Sequence, residues 1–189
     1  MNLKEILPPI KSFRFFTIAQ LIKPEIIFSH FYKSSYSSLL CGKGLPDNSR
    51  FSYIGINPFL KVRHNGIHAQ ISLGTKEINF NFDPFQLFGE ILKYYSVKTY
   101  SFPISFWGAV GYFSYDAAHF IEKLPRTTTD DLQMPVMEMV YYQDFFLFDH
   151  QKKAAFLVQV DAGNGFNAPQ SIIGVTQKGV GVNPIGGYK

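Results

Sequence analysis

Leu60-Lys61-Val62-Arg63-His64-Asn65-Gly66-Ile67-His68-Ala69-Gln70-Ile71-Ser72 alternates apolar and polar residues on either side of an Asn-Gly pair. Alternation with a period of two is the signature of a strand with one buried face, and Asn-Gly tolerates the positive φ of a type I′ turn. The stretch therefore reads as a hairpin. In a two-residue register His64 opposes Ile67 and Arg63 opposes His68, which puts Leu60, Val62, His64, Ile67, Ala69 and Ile71 on one face. His68 falls on the other face with Lys61, Arg63 and Gln70. The two histidines, though four apart like a helical metal pair, point to opposite sides of a sheet and cannot share one ion.

Upstream, 26–38 is short-patterned and aromatic, with Phe28, Phe31 and Tyr36 near serines, and predicts one or two strands. A further strand over Phe51, Tyr53 and Ile54 is expected to stop at Asn57-Pro58, because proline has no amide hydrogen for a ladder. Downstream, Asp83-Pro84 predicts a helix start, with Asp83 as N-cap and Pro84 where its missing amide costs nothing. Leu87, Phe88, Ile91, Leu92 and Tyr95 form its buried stripe. A strand is expected over 106–113, where Gly108 and Gly111 mark a bulge or a close backbone approach. A helix follows with Ala117, Phe120, Ile121 and Leu124 on one face and a stop at Pro125. Strands over 136–148 and 154–160 are joined by a polar turn at Asp149-His150-Gln151-Lys152.

The 189 residues include 46% apolar and 17% charged residues, with twenty Phe and eleven Tyr, which is enough to bury a core. One domain is expected over 1–160. From 161 to 189, seven of the fifteen glycines and only three charged residues occur in 29 positions. That composition predicts a flexible tail.

The net charge of +4 is carried by singly spaced basic residues, which disfavours nucleic acid as a partner. No apolar run reaches membrane-span length. One cysteine, Cys41, fits a reducing compartment, so cytoplasm is the expected location. No phosphate loop, dinucleotide turn or His-Glu-x-x-His helix occurs. Gly42-Lys43-Gly44 is too short for a phosphate cradle, Cys41 has no base signalled by spacing, and Asp116 and Glu122 lie on different faces of their helix. No catalytic residue and no metal ligand is predicted.

Leu39-Leu40-Cys41-Gly42, Ser49-Arg50-Phe51-Ser52-Tyr53-Ile54-Gly55, Asn57-Pro58-Phe59, the Asp83-Pro84 helix start, Gly108-Ala109-Val110-Gly111-Tyr112-Phe113-Ser114-Tyr115-Asp116, then Glu122, Leu124, Pro125 and Phe148-Asp149-His150 form an ordered series over about 25–160. This series resembles the amino-terminal region of the component I subunits of anthranilate synthase and aminodeoxychorismate synthase. The Ser49-Arg50-Phe51 stretch looks more like the latter. The resemblance implies an α+β fold, an antiparallel β-sandwich with flanking helices. It also implies a tryptophan-type pocket at Leu40, Cys41, Gly42, Ser49, Arg50 and Phe51, and a structural motif containing Gly111, Tyr115, Asp116 and Glu122.

Where the family pattern ends Leu-Leu-Glu-Ser or Leu-Leu-His-Ser, this chain has Cys41-Gly42. Loss of a hydroxyl bond to a charged ligand group costs about 1.5–3 kcal/mol, or roughly ten- to a hundredfold in affinity. The family's chorismate and magnesium motifs belong to its carboxy-terminal half and do not occur here. The resemblance thus implies a non-catalytic portion, with no cofactor of its own, of an enzyme that uses magnesium and takes ammonia from a glutamine amidotransferase subunit. Two other readings stay open: a free-standing β module for a planar or apolar ligand, and a remnant whose uncovered sheet would self-associate.

Overall fold

The computed structural model describes residues 3–18, 22–42, 50–96, 107–125 and 131–166, and the backbone alone of 182–188. Among the described residues nine strands are joined by two short α-helices and two 3₁₀ turns, in an α+β arrangement whose registered strand pairs are all antiparallel. In chain order these are β1 (Ser12–Ile18), α1 (Pro24–Phe28), β2 (Ser38–Leu40), β3 (Phe51–His64), β4 (Ala69–Leu73), β5 (Lys76–Phe80), α2 (Pro84–Tyr94), β6 (Ala109–Phe113), β7 (Met137–Asp149), β8 (Ala154–Asp161) and β9 (Val182–Tyr188).

Contacts divide the chain into an inserted unit, Met1–Ile6 with Phe59–Tyr141, and a split unit, Leu7–Pro58 with Tyr142–Lys189. Strands β3 and β7 each run from one unit into the other. The segment expected to be a tail carries β9, which pairs with β1, while 167–181 lie outside the described residues.

In the inserted unit the decisive hairpin forms, with the predicted faces and a different turn. Val62 pairs with Ile71 and His64 with Ala69, so four residues, not two, make the loop. Gly66 has φ +96°, but Asn65 is not left-handed, as type I′ would require. Asn65 instead caps the loop. Its Oδ1 accepts the amides of Ile67 and His68, and its own N–H donates to His68 O. A shift of two residues preserves the parity of the faces, so Leu60, Val62, His64, Ala69 and Ile71 are buried as predicted, whereas Ile67 is exposed.

His64, 1% exposed, accepts the Gly66 amide on Nδ1 at 3.0 Å, and its Nε2 lies 3.0 Å from Phe82 O. An amide can only donate, so Nδ1 carries no proton and the ring is the neutral Nε2–H tautomer. Burial lowers its pKa, against the opposing effects of the Phe82 carbonyl and Asp83. His68 lies exposed on the other face.

Asp83 caps α2 as expected, its carboxylate accepting the amides of Phe85 and Gln86. Leu87, Ile91 and Tyr95 are buried, but Leu92, in the predicted stripe, is 44% exposed. Its position one residue past Ile91 turns it about 100° off the buried line. Gly111 in β6 sits opposite Met139 of β7, where an added Cβ would run into Glu138 O and come within 2.7 Å of Met139 Cα. The helix expected after it is only a 3₁₀ turn, Tyr115–Phe120, that buries Ala117. Ile121 is exposed, since the turn ends at Phe120 and no later α-helical turn carries the predicted face inward.

In the split unit the hydrogen-bonded order is β3-β7-β8-β1-β9, with β2 on β3. Two expectations fail here. Residues 24–28 form a helix, with Pro24 at its first position and Ile27 and Phe31 buried, rather than a strand. Spacing of i, i+4 places those two side chains on one side of the turn, a pattern hidden by the aromatic residues around it. Strand β3 does not stop at Asn57-Pro58 either. It pairs with β2 up to Gly55 and with β4 from Lys61, so Pro58 lies outside both ladders and its missing amide costs neither a bond. Asn57 takes φ +58° there, and its Nδ2 donates to Asp144 Oδ2 at 2.8 Å.

The core of this unit gathers Ile18, Ile27, Phe31, Ile54, Ile56, Phe146, Phe148, Ala155 and Leu157. Burying each large member contributes on the order of 1.5–3 kcal/mol. Strand β1 alternates Phe13 and Phe15 inward with Arg14 outward, and pairs Ser12 with Asp161 of β8. The predicted turn at 149–152 closes with Asp149 Oδ1 accepting the amides of Gln151 and Lys152.

Candidate functional site

Three chain segments of the split unit converge on one cavity of about 280 Å³, lined by Ile22, Lys23, Pro24, Glu25, Cys41, Gly42, Phe148, Asp149 and His150. Pro24 starts α1 and so fixes the two charged residues, Lys23 and Glu25, at its amino end. Cys41 and Gly42 leave the end of β2. Pairing of Leu40 with Tyr53 brings them alongside Ser52 at the start of β3, and β7 delivers Phe148, Asp149 and His150 as it enters its turn.

Ser52 joins these segments. Its hydroxyl is 0% exposed, accepts the Gly42 amide at 2.8 Å and lies 2.6 Å from His150 Nε2. His150 is anchored in turn by its amide, which donates to Arg50 O at 2.9 Å. The Cys41 thiol donates to Glu25 Oε1 at 3.3 Å. Hydrogen bonds from its own backbone amide and from that thiol hold the Glu25 carboxyl below its ordinary value.

Behind the cavity wall Arg50 forks onto Asp149, with Nε to Oδ1 at 2.9 Å and Nη2 to Oδ2 at 2.5 Å. The pair lowers the Asp149 pKa and raises that of Arg50. The Arg50 guanidinium also lies 4.7 Å from the Phe51 ring centre.

Of the six pocket residues read from sequence, Cys41 and Gly42 line the cavity. Leu40 is half exposed beside it, Arg50 binds Asp149 of the wall without lining the cavity, and Phe51 lies against Arg50. Ser49 lies outside the described residues. Gly111, Tyr115, Asp116 and Glu122 do not line this cavity. Tyr115 is 90% exposed, Asp116 and Glu122 are exposed, and Gly111 serves strand packing. Sequence reading missed Lys23, Glu25, Ser52 and His150 as site residues. Their convergence depends on a His150–Ser52 contact across 98 positions, for which local spacing carries no signal.

An apolar wall of Ile22, Pro24 and Phe148, edged by one cation, an imidazole and two carboxylates, of which Asp149 is already paired with Arg50, suits a small amphipathic molecule bearing both charges. Nucleophilic chemistry is poorly served. The Ser52 hydroxyl is sealed from solvent, and the Cys41 thiol spends its hydrogen on Glu25 Oε1. Among the described residues no three His, Cys, Asp or Glu side chains gather as metal ligands, and no helix is long and apolar enough to cross a membrane.

No family model matches the chain. It is 29% identical over 110 residues to the aminodeoxychorismate synthase component 1 of Bacillus subtilis strain 168, covering 58% of this chain and 23% of that protein. It is also 29% identical over 145 residues to the anthranilate synthase component 1 of Acetivibrio thermocellus, covering 74% of this chain and 29% of that one. The corresponding protein of Geobacillus stearothermophilus is 26% identical over 170 residues, covering 84% and 32%. The chain therefore spans between about a quarter and a third of the length of these three relatives. Among solved structures, anthranilate synthase component I from Streptococcus pneumoniae TIGR4 shares the fold, with a TM-score of 0.50 at 20% identity over 86% of this chain and 34% of that one. With sequence relatives and a shared fold agreeing, the chain is related to component I of the aminodeoxychorismate and anthranilate synthases, the family its ordered motifs resemble.

Proposed function

We propose that this chain is the amino-terminal, non-catalytic portion of an aminodeoxychorismate synthase component I, and that its cavity holds an amino acid of the tryptophan type. The observation that carries this reading is the cavity itself. Cys41 and Gly42, which stand where the family pattern has Glu-Ser or His-Ser, line it together with Lys23 and Glu25. A cation and a carboxylate beside an apolar wall complement the carboxylate, ammonium and side chain of one zwitterion. The complete enzyme, with magnesium and an amidotransferase partner, would aminate chorismate toward 4-aminobenzoate and folate in the cytoplasm.

Isothermal calorimetry of the chain with L-tryptophan tests the binding reading. Saturable binding that weakens about tenfold in Glu25→Gln and in Lys23→Ala is the expected result. Absence of binding by tryptophan and other amino acids, with uptake of unrelated apolar ligands, would favour a free-standing binding module instead. Incubation of the chain with chorismate, ammonia and magnesium tests the non-catalytic reading, and turnover at enzymatic rates would sink it. Anthranilate synthase component I is the second reading of the branch, favoured by the Acetivibrio relative's coverage of 74% of this chain. Complementation of strains lacking one or the other synthase by the chain joined to each family's remaining portion separates the two.

A further inference from the structure

We infer that Ser52 is the positioning residue of this cavity: it holds the proton of neutral His150 on Nδ1, so that the wall offers a bound molecule a hydrogen-bond donor at that nitrogen. The inference rests on the reading that the cavity holds a ligand, and it specifies an acceptor-bearing group, such as a carboxylate, for the His150 side.

A serine hydroxyl has one proton and two lone pairs. The Gly42 amide can only donate, and it occupies one lone pair of Ser52 Oγ at 2.8 Å. Three acceptors remain for the hydroxyl proton. Gly42 O, at 3.5 Å, and Cys41 Sγ, at 3.9 Å, are at the limit of hydrogen bonding, whereas His150 Nε2 is at 2.6 Å. The proton goes to Nε2, which must then be bare, and a neutral imidazole with a bare Nε2 carries its hydrogen on Nδ1.

The ring has little freedom to escape this arrangement. Its backbone is tied to Arg50 O, and Ser52 is sealed from water that could compete for the hydroxyl. Charged groups around the cavity divide by sign. Arg50 and Asp149 satisfy one another, and Cys41 spends its hydrogen on Glu25. Lys23 is then the other donor-bearing residue of the lining, and Glu25 is the carboxylate left to meet a cation. His150 thus adds a neutral donor to a lining that also carries Lys23 and Glu25. If His150 becomes protonated, Nε2 donates to Ser52 Oγ and the hydroxyl must turn to Gly42 O. Nδ1 keeps its hydrogen in both states.

Two-bond ¹H–¹⁵N correlation spectra of the histidine-labelled chain, recorded above the imidazole titration, read the tautomer without any ligand. The expected result is His150 as Nδ1–H in the native chain, a shift toward Nε2–H in Ser52→Ala, and restoration in Ser52→Thr, which keeps a hydroxyl. A native His150 protonated on Nε2, or an unchanged Nδ1–H tautomer in folded Ser52→Ala, would overturn the inference. Should Ser52→Ala not fold, the native spectrum still decides, because an Nε2–H ring there is incompatible with it. In a second arm, L-tryptophan and tryptamine, which lacks the carboxylate, are titrated into the labelled chain. Movement of the His150 Nδ1 signal by tryptophan alone, with binding weakened about tenfold in Ser52→Ala, supports the acceptor assignment. Equal movement by tryptamine overturns that assignment. An Nδ1–H ring in a chain that binds no amino acid supports the Ser52 role while refuting the ligand reading, so the two fail separately.

Discussion

Arg50 and Asp149, 99 residues apart in sequence, meet through two parallel hydrogen bonds between a planar guanidinium and a carboxylate. The same Asp149 Oδ1 also receives the Gln151 and Lys152 amides, so one carboxylate fastens the start of β3 to the β7–β8 turn.

Because the folded Asp149 pKa is depressed below its ordinary 3.8, its contribution to stability is present above that value and is lost as the pH falls through the folded pKa. Resistance of the native chain to urea should fall below about pH 4, and Arg50→Ala should remove part of that dependence while lowering the midpoint at pH 7. An Arg50→Ala profile parallel to the native one at every pH would refute the link. Arg50→Lys should behave more like Arg50→Ala than like the native chain, since an ammonium cannot reproduce the two-bond fork.

His64 gives a pH effect in a different window. Its folded pKa lies below the ordinary 6.5, so the unfolded chain takes up the proton first and stability falls as the pH drops through 6.5 toward the lowered value. Hydrogen exchange at the Gly66 amide, whose acceptor is the Nδ1 lost on protonation, should accelerate as the pH reaches the lowered folded pKa, after correction for intrinsic rates. His64→Ala should cost about 2–4 kcal/mol and abolish the pH dependence at this site.

Gly55 and Tyr142 should be energetically coupled. A Cβ on Gly55 would lie 2.5 Å from two ring carbons of Tyr142, and that ring is held by its hydroxyl's bond to Tyr36 O at 2.7 Å. Gly55→Ala is expected to destabilise by about 1–3 kcal/mol, and much less in a Tyr142→Leu background, giving a measurable interaction energy in a double-mutant cycle. Gly111→Ala should be worse, because the obstacles there are the backbone of Glu138 and Met139, which no rotamer change can move.

Asp83→Ala should lower stability by about 1 kcal/mol through loss of its bonds to the Phe85 and Gln86 amides, and Asp83→Asn should recover most of it. Thermal unfolding of the three proteins checks the order.

What was legible in the sequence is what short-range chemistry determines. Asp83-Pro84 announces a capped helix by residue type alone, and the alternation of Leu60, Val62 and His64 assigns a face whatever the turn. The turn was misread because Asn65 has two uses: a left-handed backbone in a tight turn, or a side-chain oxygen that gathers amides in a wider one. Asn57-Pro58 misled for a related reason. Proline interrupts a strand only where the ladder needs its amide, and whether β2 or β4 reaches that position is a tertiary fact. For the site, Cys41 and Gly42 were reached through a motif series, whereas Glu25 and His150 required knowing which distant segments meet.

Division of the chain into an inserted and a split unit orders events during synthesis. Residues Phe59–Tyr141 can gather as soon as they emerge, but β1, though made before them, finds its partner in β8 only when Asp161 has been added opposite Ser12. At ordinary elongation speeds that wait is on the order of ten seconds. Throughout it Phe13 and Phe15, later buried, stand without their strand. A nascent chain stalled before β8 would then be the form most exposed to chaperone capture, and the cavity, which needs β7 as well as α1 and β2, would be among the last features completed.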